Sequence, residues 1–369
     1  MVGNRLTLIY STSHVPRRVQ RKLAEVLGDR AIGLTGEVNF GTRSETDLAN
    51  SAVKVPFQPG LWRVIRESCP DVLISEGFFQ WSFAALLYRI LHRVPLVVCY
   101  ERTSYTERAA QWYRRLYRQT AVRLVDAICC NGEQCVEYVR SLGVPLWRIT
   151  TGHMVVDVEE LAANSARARL RERDAFRRQL GADGVVFLYV GALSVRKGIW
   201  QLAEAWRAFT ECAARRATLL VVGEGPLSGK LREYAQTAGL TSLRLVGAVD
   251  YDRLPEYYAA ADVFILPTLE DNWSLVVPEA MACGLPILTT PYNGCSTELV
   301  KEGINGYLFD PLKPGSTLGC LMKVAADPAV LPRMGEESRA IVANFTPQRA
   351  AHGVLKACQI ALTQRWRRW

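Results

Sequence analysis

Histidine is scarce in this chain, and cysteine occurs without the spacings that bind metals. There are 4 His and 10 Cys among 369 residues. No C-x-x-C pair occurs, and the densest group, Cys129, Cys130 and Cys135, has no His-rich segment to complete it. Because zinc sites need Cys and His at short, defined spacings, the sequence argues against one. Scattered thiols are typical of a reducing, cytoplasmic environment.

Long apolar runs are also missing. The best candidate, FFQWSFAALLYRIL, is 14 residues long and ends against Arg89 and Arg93. A span needs roughly 18 or more apolar residues, so this run is interpreted as a buried helix. The opening MVGNRLTLIYSTSHVP does not have the basic start, apolar core and cleavage site of a signal peptide. We expect a cytoplasmic protein, with peripheral contact at the inner face of the membrane left open.

Tracts of a single charge are absent, although basic residues are in excess. The 45 Lys and Arg against 36 Asp and Glu give a formal net charge of +9. This excess favours an anionic partner: nucleic acid, an acidic membrane surface or a phosphorylated small molecule. Nucleic acid is the weakest of the three, since the sequence contains neither a dense basic arm nor a continuous aromatic and basic groove pattern. We expect no nucleic-acid partner.

What the chain does contain is a steady alternation of strand-like runs with segments of helical length. This alternation is typical of parallel sheets with crossover helices. Strands are predicted at 6–10, 71–76, 95–101, 126–131, 185–191, 217–223, 242–248, 262–268 and 286–290. In the first half, helices are predicted near 16–28, 78–93, 105–122 and 133–142.

A highly charged segment, VEELAANSARARLRERDAFRRQLGADG (158–184), is interpreted as a surface helix that ends at a Gly-containing loop, and the domain boundary is predicted near residues 155–184. The predicted fold is α/β, with two Rossmann-like domains that face each other across a cleft. The predicted units are 1–160, 161–345 and a C-terminal helix with a basic tail, 346–369. Open α/β sheets bind ligands at the carboxyl ends of their strands, so the cleft is the predicted site.

Two carboxylates flank a strand-to-helix corner in LEDNWSLVVPEAMACGLPILTT, residues 269–290. Asp271 and Glu279 are eight positions apart, and Pro278 is tolerated only if a helix begins near residue 275, with Ser274 as its cap. The free N–H groups at such a helix start can bind a phosphate or a hydroxyl. Those predicted to face the cleft belong to Asn272, Trp273, Ser274 and Leu275. The alternative is that the two acids only interact favourably with the helix dipole.

Four segments of the second half resemble the nucleotide-binding domain of the retaining GT-B glycosyltransferases of family 4. They are RRQLGADGVVFLYVGALSVRKG (177–198), LLVVGEGPLSGKL (219–231), LRLVGAVDYDRLPEYYAAADVFILPTLEDNWSLVVPEAMACGLPILTT (243–290) and ELVKEGINGYLFDP (298–311). The first half is similar mainly in layout, apart from DAICCNGEQCVEYVRSLGVP. The resemblance implies an N-terminal domain that binds the acceptor and a C-terminal domain that binds a nucleotide sugar. It also implies that a helix at about 346–362 returns to the first domain.

The resemblance assigns roles to the two acids and to the loop GALSVRKG. Asp271 and Glu279 fall on the family's E-x7-E motif, which implies that Asp271 lies against the donor sugar and Glu279 accepts hydrogen bonds from the ribose. Lys197 would neutralise the leaving diphosphate. Arg196 could add charge, because Ala192 stands where the family usually has Arg.

Further positions follow from the same resemblance. The backbone at Gly191, Gly223 and Val249 would lie along the nucleotide, although a plain turn explains Gly223 equally well. Glu101 stands at the end of PLVVCYE, where the family usually has His. It is expected either to reach the donor sugar or acceptor, or to pair with Arg102 or Arg108. His14 is more consistent with a turn than with a ligand.

The function implied is transfer of a hexose, with retention, from a nucleoside-diphosphate sugar to a hydroxyl of a glycan or lipid-linked acceptor in surface polysaccharide or glycolipid biosynthesis. Asp271, Lys197 and Glu101 are the predicted catalytic residues. No metal or other cofactor is expected, because no D-x-D pair suited to a divalent metal appears at a strand end and cations can carry the phosphates. The alternatives are a GT-B epimerase or phosphorylase, or a non-catalytic nucleotide-sugar-binding protein.

Two stretches mix aromatic and basic residues: QWYRRLYRQ at 111–119 and RWRRW at 365–369. The first contains Trp112, Tyr113, Arg114, Arg115, Tyr117 and Arg118, and the second contains Arg365, Trp366, Arg367, Arg368 and Trp369. Both are consistent with an ordinary solvated surface, and equally with docking on an anionic bilayer.

Overall fold

The structure, a computed structural model, describes residues 5–41, 54–78, 81–152, 154–313 and 315–367. Within these residues the strands are β1 (Leu8–Ser11), β2 (Ala31–Leu34), β3 (Val38–Gly41), β4 (Lys54–Phe57), β5 (Leu73–Glu76), β6 (Leu96–Tyr100), β7 (Ala127–Cys130), β8 (Ile149–Thr151), β9 (Val185–Val190), β10 (Ala217–Val222), β11 (Leu243–Gly247), β12 (Val263–Leu266), β13 (Ile287–Thr289) and β14 (Gly306–Leu308). The α-helices are α1 (Arg17–Leu27), α2 (Leu61–Glu67), α3 (Ser82–His92), α4 (Trp112–Leu124), α5 (Glu133–Ser141), α6 (Glu159–Arg171), α7 (Arg173–Leu180), α8 (Ile199–Cys212), α9 (Ser228–Thr237), α10 (Leu254–Ala260), α11 (Val276–Ala282), α12 (Ser296–Leu299), α13 (Ser316–Ala326), α14 (Leu331–Val342) and α15 (Pro347–Arg367).

The C-terminal half is built on a six-stranded parallel sheet in the order β11-β10-β9-β12-β13-β14. Every residue of β9, VVFLYV, is buried, because helices cover both faces of the sheet and leave no side for polar residues. The order reverses between β9 and β12, and such a switch point leaves a crevice at the carboxyl ends of the strands. The loops after β9 and β12 therefore meet at one edge of the sheet.

The N-terminal half has a four-stranded parallel sheet in the order β5-β6-β7-β8, and β1 pairs in parallel with β2. Strands β3 and β4 form a separate antiparallel pair. The predicted α/β fold with parallel sheets is confirmed, and each of the nine predicted strands overlaps an observed one. Five strands were not predicted, and each has only three or four residues: β2, β3, β4, β8 and β14.

The helix predicted at 105–122 is wrong at its start, since α4 begins at Trp112. Before this helix, Thr103 and Thr106 stabilise a turn through reciprocal hydrogen bonds. The Thr103 N–H donates to Thr106 Oγ1 at 3.0 Å, and the Thr106 N–H donates to Thr103 Oγ1 at 3.2 Å. Side-chain bonds of this kind compete with the helical pattern of backbone hydrogen bonds. The segment 101–111 is therefore a loop between β6 and α4.

Two arginines predicted for a basic surface on α4 are in fact buried. Arg114 and Arg118 are only 7% and 1% exposed, and Arg118 forms an ion pair with Glu107 inside the N-terminal domain. A buried guanidinium needs a carboxylate partner, and Glu107 supplies it from the preceding loop. The outward-facing residues of α4 include Trp112, Tyr113, Arg115 and Leu116.

Helix α15 lies against the N-terminal sheet. Its Ala357 and Ala361 pack with Val97 of β6 and with Ala127 and Cys129 of β7. Polar contacts add to this packing: the Thr150 hydroxyl donates to the Gly353 carbonyl at 2.9 Å, and Gln364 Nε2 donates to the Asp126 carbonyl at 3.0 Å. The division of the chain at 160/161 and 345/346 stays a prediction. Side chains of the predicted basic tail, 365–369, lie outside the described residues.

Among the described helices, none combines the length and apolar character needed to cross a membrane. The charged segment 158–184 forms two helices, α6 and α7, rather than the single helix expected.

Gly353→Ala should destabilise the protein, although Ala is the better helix former. A Cβ at residue 353 would lie 2.0 Å from the Thr151 carbonyl oxygen, which belongs to the backbone of β8 and cannot move alone. Overpacking of this kind costs about 1–3 kcal/mol. The matched control is Gly319→Ala in α13, where a Cβ would meet nothing within 4 Å and should be neutral or stabilising. Thermal unfolding of both variants checks this, and equal melting temperatures would contradict close docking of α15.

Candidate active site

The loops after β9 and β12 bring together a cation and an acid that are 74 residues apart in the chain. Lys197 ends a short 3-10 turn, Val195–Lys197, and its Nζ forms an ion pair with Asp271 Oδ2. The next residue, Gly198, has φ +65°, and a Cβ there would lie 1.9 Å from the Pro267 carbonyl oxygen. Only glycine lets the loop approach the end of β12 so closely.

Asp271 has three partners that hold its carboxylate in one orientation. Besides Lys197, it accepts hydrogen bonds from the Ser274 hydroxyl at 2.6 Å and from the Trp273 N–H at 3.3 Å. Burial alone would raise the pKa of Asp271, but the Lys197 ammonium and the Ser274 hydroxyl outweigh it, and the pKa lies below its usual 3.8. The carboxylate is thus ionised at neutral pH and neutralises Lys197.

Arg196 forms hydrogen bonds with the turn after β12. Its Nη1 donates to the Glu270 carbonyl at 3.1 Å, and its own carbonyl accepts from the Leu269 N–H at 2.9 Å. The guanidinium is therefore engaged with backbone in this structure, and its predicted role as a phosphate ligand stays a prediction. The glycines Gly191 and Gly223 lie back to back, since a Cβ on Gly223 would be 2.0 Å from the Gly191 carbonyl oxygen.

Glu279 lies in α11 and is bound by two tyrosines. It accepts a hydrogen bond from the buried Tyr258 hydroxyl at 2.9 Å and a longer one from Tyr251 at 3.4 Å. Burial raises the pKa of Glu279 above its usual 4.5, and the two phenol groups only partly oppose this shift. A buried carboxylate held in this way can accept further hydrogen bonds from hydroxyl groups in the cleft.

The start of α11 differs from the prediction. The helix begins at Val276 and its N-terminal capping residue is Leu275, without a side-chain cap. Ser274 is not the cap, because its hydroxyl donates to Asp271 instead. The N–H groups of Trp273 and Ser274 are also engaged, the first by Asp271 and the second by Asn293 Oδ1 at 3.4 Å.

Residues of the N-terminal half reach this site from the end of β6. Glu101 Oε1 accepts a hydrogen bond from Asn272 Nδ2 at 3.0 Å, whereas the sequence analysis considered a pairing with Arg102 or Arg108. Arg108 instead donates to Glu270 Oε2 at 2.6 Å. Both contacts place the N-terminal loop 101–111 directly beside Asp271.

Other contacts between the two halves lie near Asp271 and near Glu279. Tyr105 stacks on Tyr292 with ring centroids 4.7 Å apart. On another side, Arg18 of α1 donates to Asp252 Oδ1 at 3.1 Å and lies over the ring of Tyr251, a residue that contacts Glu279. The sites around Asp271 and Glu279 are thus both bordered by N-terminal residues.

Not every residue named from the sequence has a side chain in the cleft. The Trp273 ring is buried in the C-terminal core, 6.2 Å from the Phe345 ring. Val249 is half-buried against the same core, and Leu275 is partly exposed. His14 lies 3.1 Å from Ser11 Oγ and 3.3 Å from Glu37 Oε1 at the surface. Among the described residues, no three His, Cys, Asp or Glu side chains are grouped to hold a metal ion.

The sequence analysis did not single out Tyr251, Tyr258, Asn293, Glu270 or the Arg108–Glu270 pair. The two tyrosines carry a weak signal, because residues seven apart lie on one side of two helical turns. The Arg108–Glu270 pair carries none, since its members are 162 residues apart.

Glu279→Gln should gain stability relative to the parent as the pH rises. A folded-state pKa raised above 4.5 means that the buried side chain resists ionisation, so its contribution to stability is lost as pH rises through that pKa. A neutral amide avoids this loss. Thermal unfolding at pH 4.5 and pH 7.5 tests the difference, with Glu233→Gln on the exposed side of α9 as the control. If the melting temperatures of Glu279→Gln and the parent differed by the same amount at both pH values, the raised pKa of Glu279 would be contradicted.

Two family sequence models match the chain one after the other. The Glycosyl transferase 4-like domain matches residues 16–154, and Glycosyl transferases group 1 matches residues 171–344. Together the two models cover most of the chain.

Known proteins with similar sequences carry names of the same kind. A D-inositol 3-phosphate glycosyltransferase of Rhodococcus opacus (strain B4) is 29% identical over 261 residues, 67% of this chain and 56% of that protein. A UDP-Gal:alpha-D-GlcNAc-diphosphoundecaprenol alpha-1,3-galactosyltransferase of Escherichia coli is 26% identical over 77% of this chain and 73% of its own length. The chain spans about half the length of the first of these relatives.

The fold has solved counterparts. The crystal structure of Anabaena HepE in complex with UDP superimposes with a TM-score of 0.69 at 18% identity, covering 97% of this chain and 99% of that one. At this level of identity the likeness concerns the fold, which is GT-B. With both sequence models matched in order on that fold, the chain belongs to the group 1, family 4 glycosyltransferases.

Proposed function

We propose that this protein transfers a sugar from a nucleoside-diphosphate donor to a hydroxyl group of a glycan or lipid-linked acceptor, with retention of anomeric configuration. The observation that carries the proposal is the Lys197–Asp271 ion pair in the loops after β9 and β12, with Glu101 of the opposite domain hydrogen-bonded to the adjacent Asn272. Glu279 lies in α11, the helix that follows Asp271. Open α/β sheets bind nucleotides at this edge. The solved HepE complexes contain UDP and UDP-glucose, which supports a donor of this class.

The two ends of the donor would be bound by different groups. Glu279 would accept hydrogen bonds from ribose hydroxyls, and its contacts with Tyr258 and Tyr251, which hold the carboxylate in place, support this role. Lys197 is the cation closest to Asp271, and a diphosphate would compete with Asp271 for it. Donor binding therefore frees the Asp271 carboxylate to accept a hydrogen bond from a sugar hydroxyl.

The chemical step separates charge, and the site is suited to stabilise it. The anomeric C–O bond to the diphosphate breaks, and the acceptor oxygen forms a new bond on the same face. The acceptor proton then leaves with the diphosphate. Lys197 would stabilise the negative charge that develops on the leaving phosphates, and in a cleft that excludes water such stabilisation is large. Glu101 and Asp271 would hold the sugar and the acceptor in the orientation that the reaction needs.

We propose that no metal ion is required, since Lys197 supplies positive charge at the leaving phosphates. Transfer should then continue in excess EDTA. Lys197→Ala should lower turnover by about 10²-fold or more, the size expected when one preorganised charge-stabilising group is lost. The readout is release of nucleoside diphosphate from a panel of UDP-, GDP- and ADP-sugars, with the product anomer assigned by NMR.

The matched control is Lys323→Ala, which removes an exposed lysine in the last turn of α13 that lies over the ring of Tyr307 in β14. It should leave turnover unchanged. Loss of activity on chelation, with recovery on adding Mg²⁺ or Mn²⁺, would overturn the assignment of Lys197. An inverted product, or no transfer from any donor, would overturn the proposed reaction.

A lipid-linked acceptor is the second part of the proposal, with a role in surface polysaccharide or glycolipid biosynthesis. The Escherichia coli relative is named for a diphosphoundecaprenol acceptor. An apolar stripe on α3 supports a membrane-bound substrate: its exposed residues are Phe83, Leu87, Ile90 and Leu91. Their spacing of four, three and one places them on one face of the helix.

This stripe continues onto α4. The rings of Phe83 and Tyr117 lie 5.1 Å apart, so α3 and α4 are neighbours, and α4 adds the exposed Trp112, Tyr113 and Leu116. Exposed Arg115 lies on α4, and exposed Arg93 directly follows the end of α3. An apolar face with aromatic residues and a basic border suits the headgroup region of an anionic bilayer. We propose peripheral binding of the N-terminal domain to such a surface.

Leu87→Gln/Leu91→Gln should weaken sedimentation with vesicles of phosphatidylglycerol and phosphatidylcholine. Each buried methylene contributes about 0.8 kcal/mol to membrane binding, so two leucines matter. The control is Leu170→Gln on α6, which removes one of the most exposed leucines elsewhere. Equal sedimentation of parent and double variant, or no binding of the parent, would leave α3 and α4 as ordinary surface.

A further inference from the structure

A cavity on the far side of the C-terminal domain is lined by arginines. Its volume is about 500 Å³, and its charged lining residues are Arg169, Arg173, Arg177, Arg215, Arg216 and Asp262. Asp262 immediately precedes β12 and Val185 begins β9, so the cavity lies at the amino ends of these strands. Lys197 and Asp271 follow their carboxyl ends. A six-residue strand is about 20 Å long, so the cavity is separate from the sugar-nucleotide site.

Three of these arginines satisfy the end of helix α10. Arg169 Nη2 donates to the Tyr258 and Ala261 carbonyls at 3.2 Å, Arg173 Nε to Ala259, and Arg177 Nε to Ala260. The last carbonyls of a helix have no partner within it, and cations there also interact favourably with the helix dipole. These hydrogen bonds use part of the donor capacity of each guanidinium.

The remaining hydrogen-bonding capacity is not filled. A guanidinium has five N–H groups, whereas Arg173 and Arg177 each make two hydrogen bonds to the described residues, one to a carbonyl and one to Asp262. In the described part of the chain, the buried Nε of Arg169 has no acceptor. Arg215 likewise has none among the described residues, and Arg216 pairs only with the exposed Asp183 at 3.0 Å.

The charge of the cavity is unbalanced as well. Asp262 is the one acid among the described residues that line it, and Arg173 and Arg177 share it. Burial, followed by the nearby Arg173, lowers the pKa of Arg169 to about 10. Crowded cations in a partly buried cavity are stabilised when an anion enters.

We propose that this cavity binds a phosphate-bearing anion, held by Arg215 and Arg216 at the rim and by the unfilled N–H groups of Arg169, Arg173 and Arg177 inside. Planar guanidinium groups match phosphate oxygens in pairs, which favours phosphate over a carboxylate of single charge. The phosphate could belong to a soluble polyphosphorylated molecule or to a lipid headgroup, since both present the same group.

The site can be located directly in the parent chain. Phenylglyoxal modifies accessible arginines, and mass spectrometry measures the rate at each one. Pyrophosphate should slow modification of Arg215 and Arg216 several-fold and leave the exposed Arg232 of α9 unchanged. A second arm replaces pyrophosphate with vesicles of phosphatidic acid in phosphatidylcholine. Protection by vesicles alone would assign the site to lipid phosphate, and protection by pyrophosphate would assign it to a soluble anion.

Variants provide the second measurement. Arg215→Gln/Arg216→Gln leaves the arginines that cap α10 intact, so it should fold, and should lower the affinity for the protecting anion at least tenfold. The control, Arg167→Gln/Arg232→Gln, removes the same charge from exposed positions in the same part of the chain and should change the affinity less than twofold. Calorimetry with pyrophosphate, or vesicle sedimentation, gives both values. Equal loss in both double variants, or no protection of Arg215 by either probe, would overturn the proposal.

Discussion

The ion pair between Lys197 and Asp271 is the interaction on which the site depends. It joins the loops after β9 and β12, and Asp271 also fixes Ser274 and the N–H of Trp273. Breaking a buried pair by removing one partner costs about 3–5 kcal/mol, because a buried charge is left alone. Lys197 and Asp271 therefore keep each other in place. In the proposed reaction, a diphosphate would compete for Lys197 because it brings its own negative charge.

The two domains meet beside this pair through polar contacts. Glu101 with Asn272, Arg108 with Glu270 and Arg18 with Asp252 are hydrogen bonds or ion pairs, and Tyr105 stacks on Tyr292. Polar interfaces of this kind are typical of domains that can move relative to each other. Helix α15 provides a separate, apolar connection: its alanines pack on β6 and β7, so the C-terminal end of the chain stays attached to the N-terminal domain.

Helix α10 connects two features on opposite sides of the C-terminal domain. The hydroxyl of Tyr258 binds Glu279 at the cleft, while the carbonyl of Tyr258 accepts from Arg169 at the arginine cavity. Arginines 169, 173 and 177 are four residues apart, and α6 and α7 present them in turn to successive carbonyls of the helix end. A segment that its composition marked as a solvated surface helix thus contributes to positioning Tyr258, because guanidinium groups can satisfy backbone that a helix leaves unpaired.

The sequence by itself determined the parallel α/β architecture, because buried strands need uninterrupted apolar residues and crossover helices need amphipathic ones, and both patterns are local. It also predicted Lys197, Asp271 and Glu279 as site residues, because they lie in short loop motifs that resemble those of family 4, and their roles stay a prediction. Only the tertiary structure decided that Asn272 meets Glu101 across 171 residues, that Tyr258 holds Glu279, and that Arg114 and Arg118 are buried. These pairings depend on which strand ends and helix faces become neighbours. The packing of whole domains determines which of them become neighbours, and a local sequence pattern does not predict it.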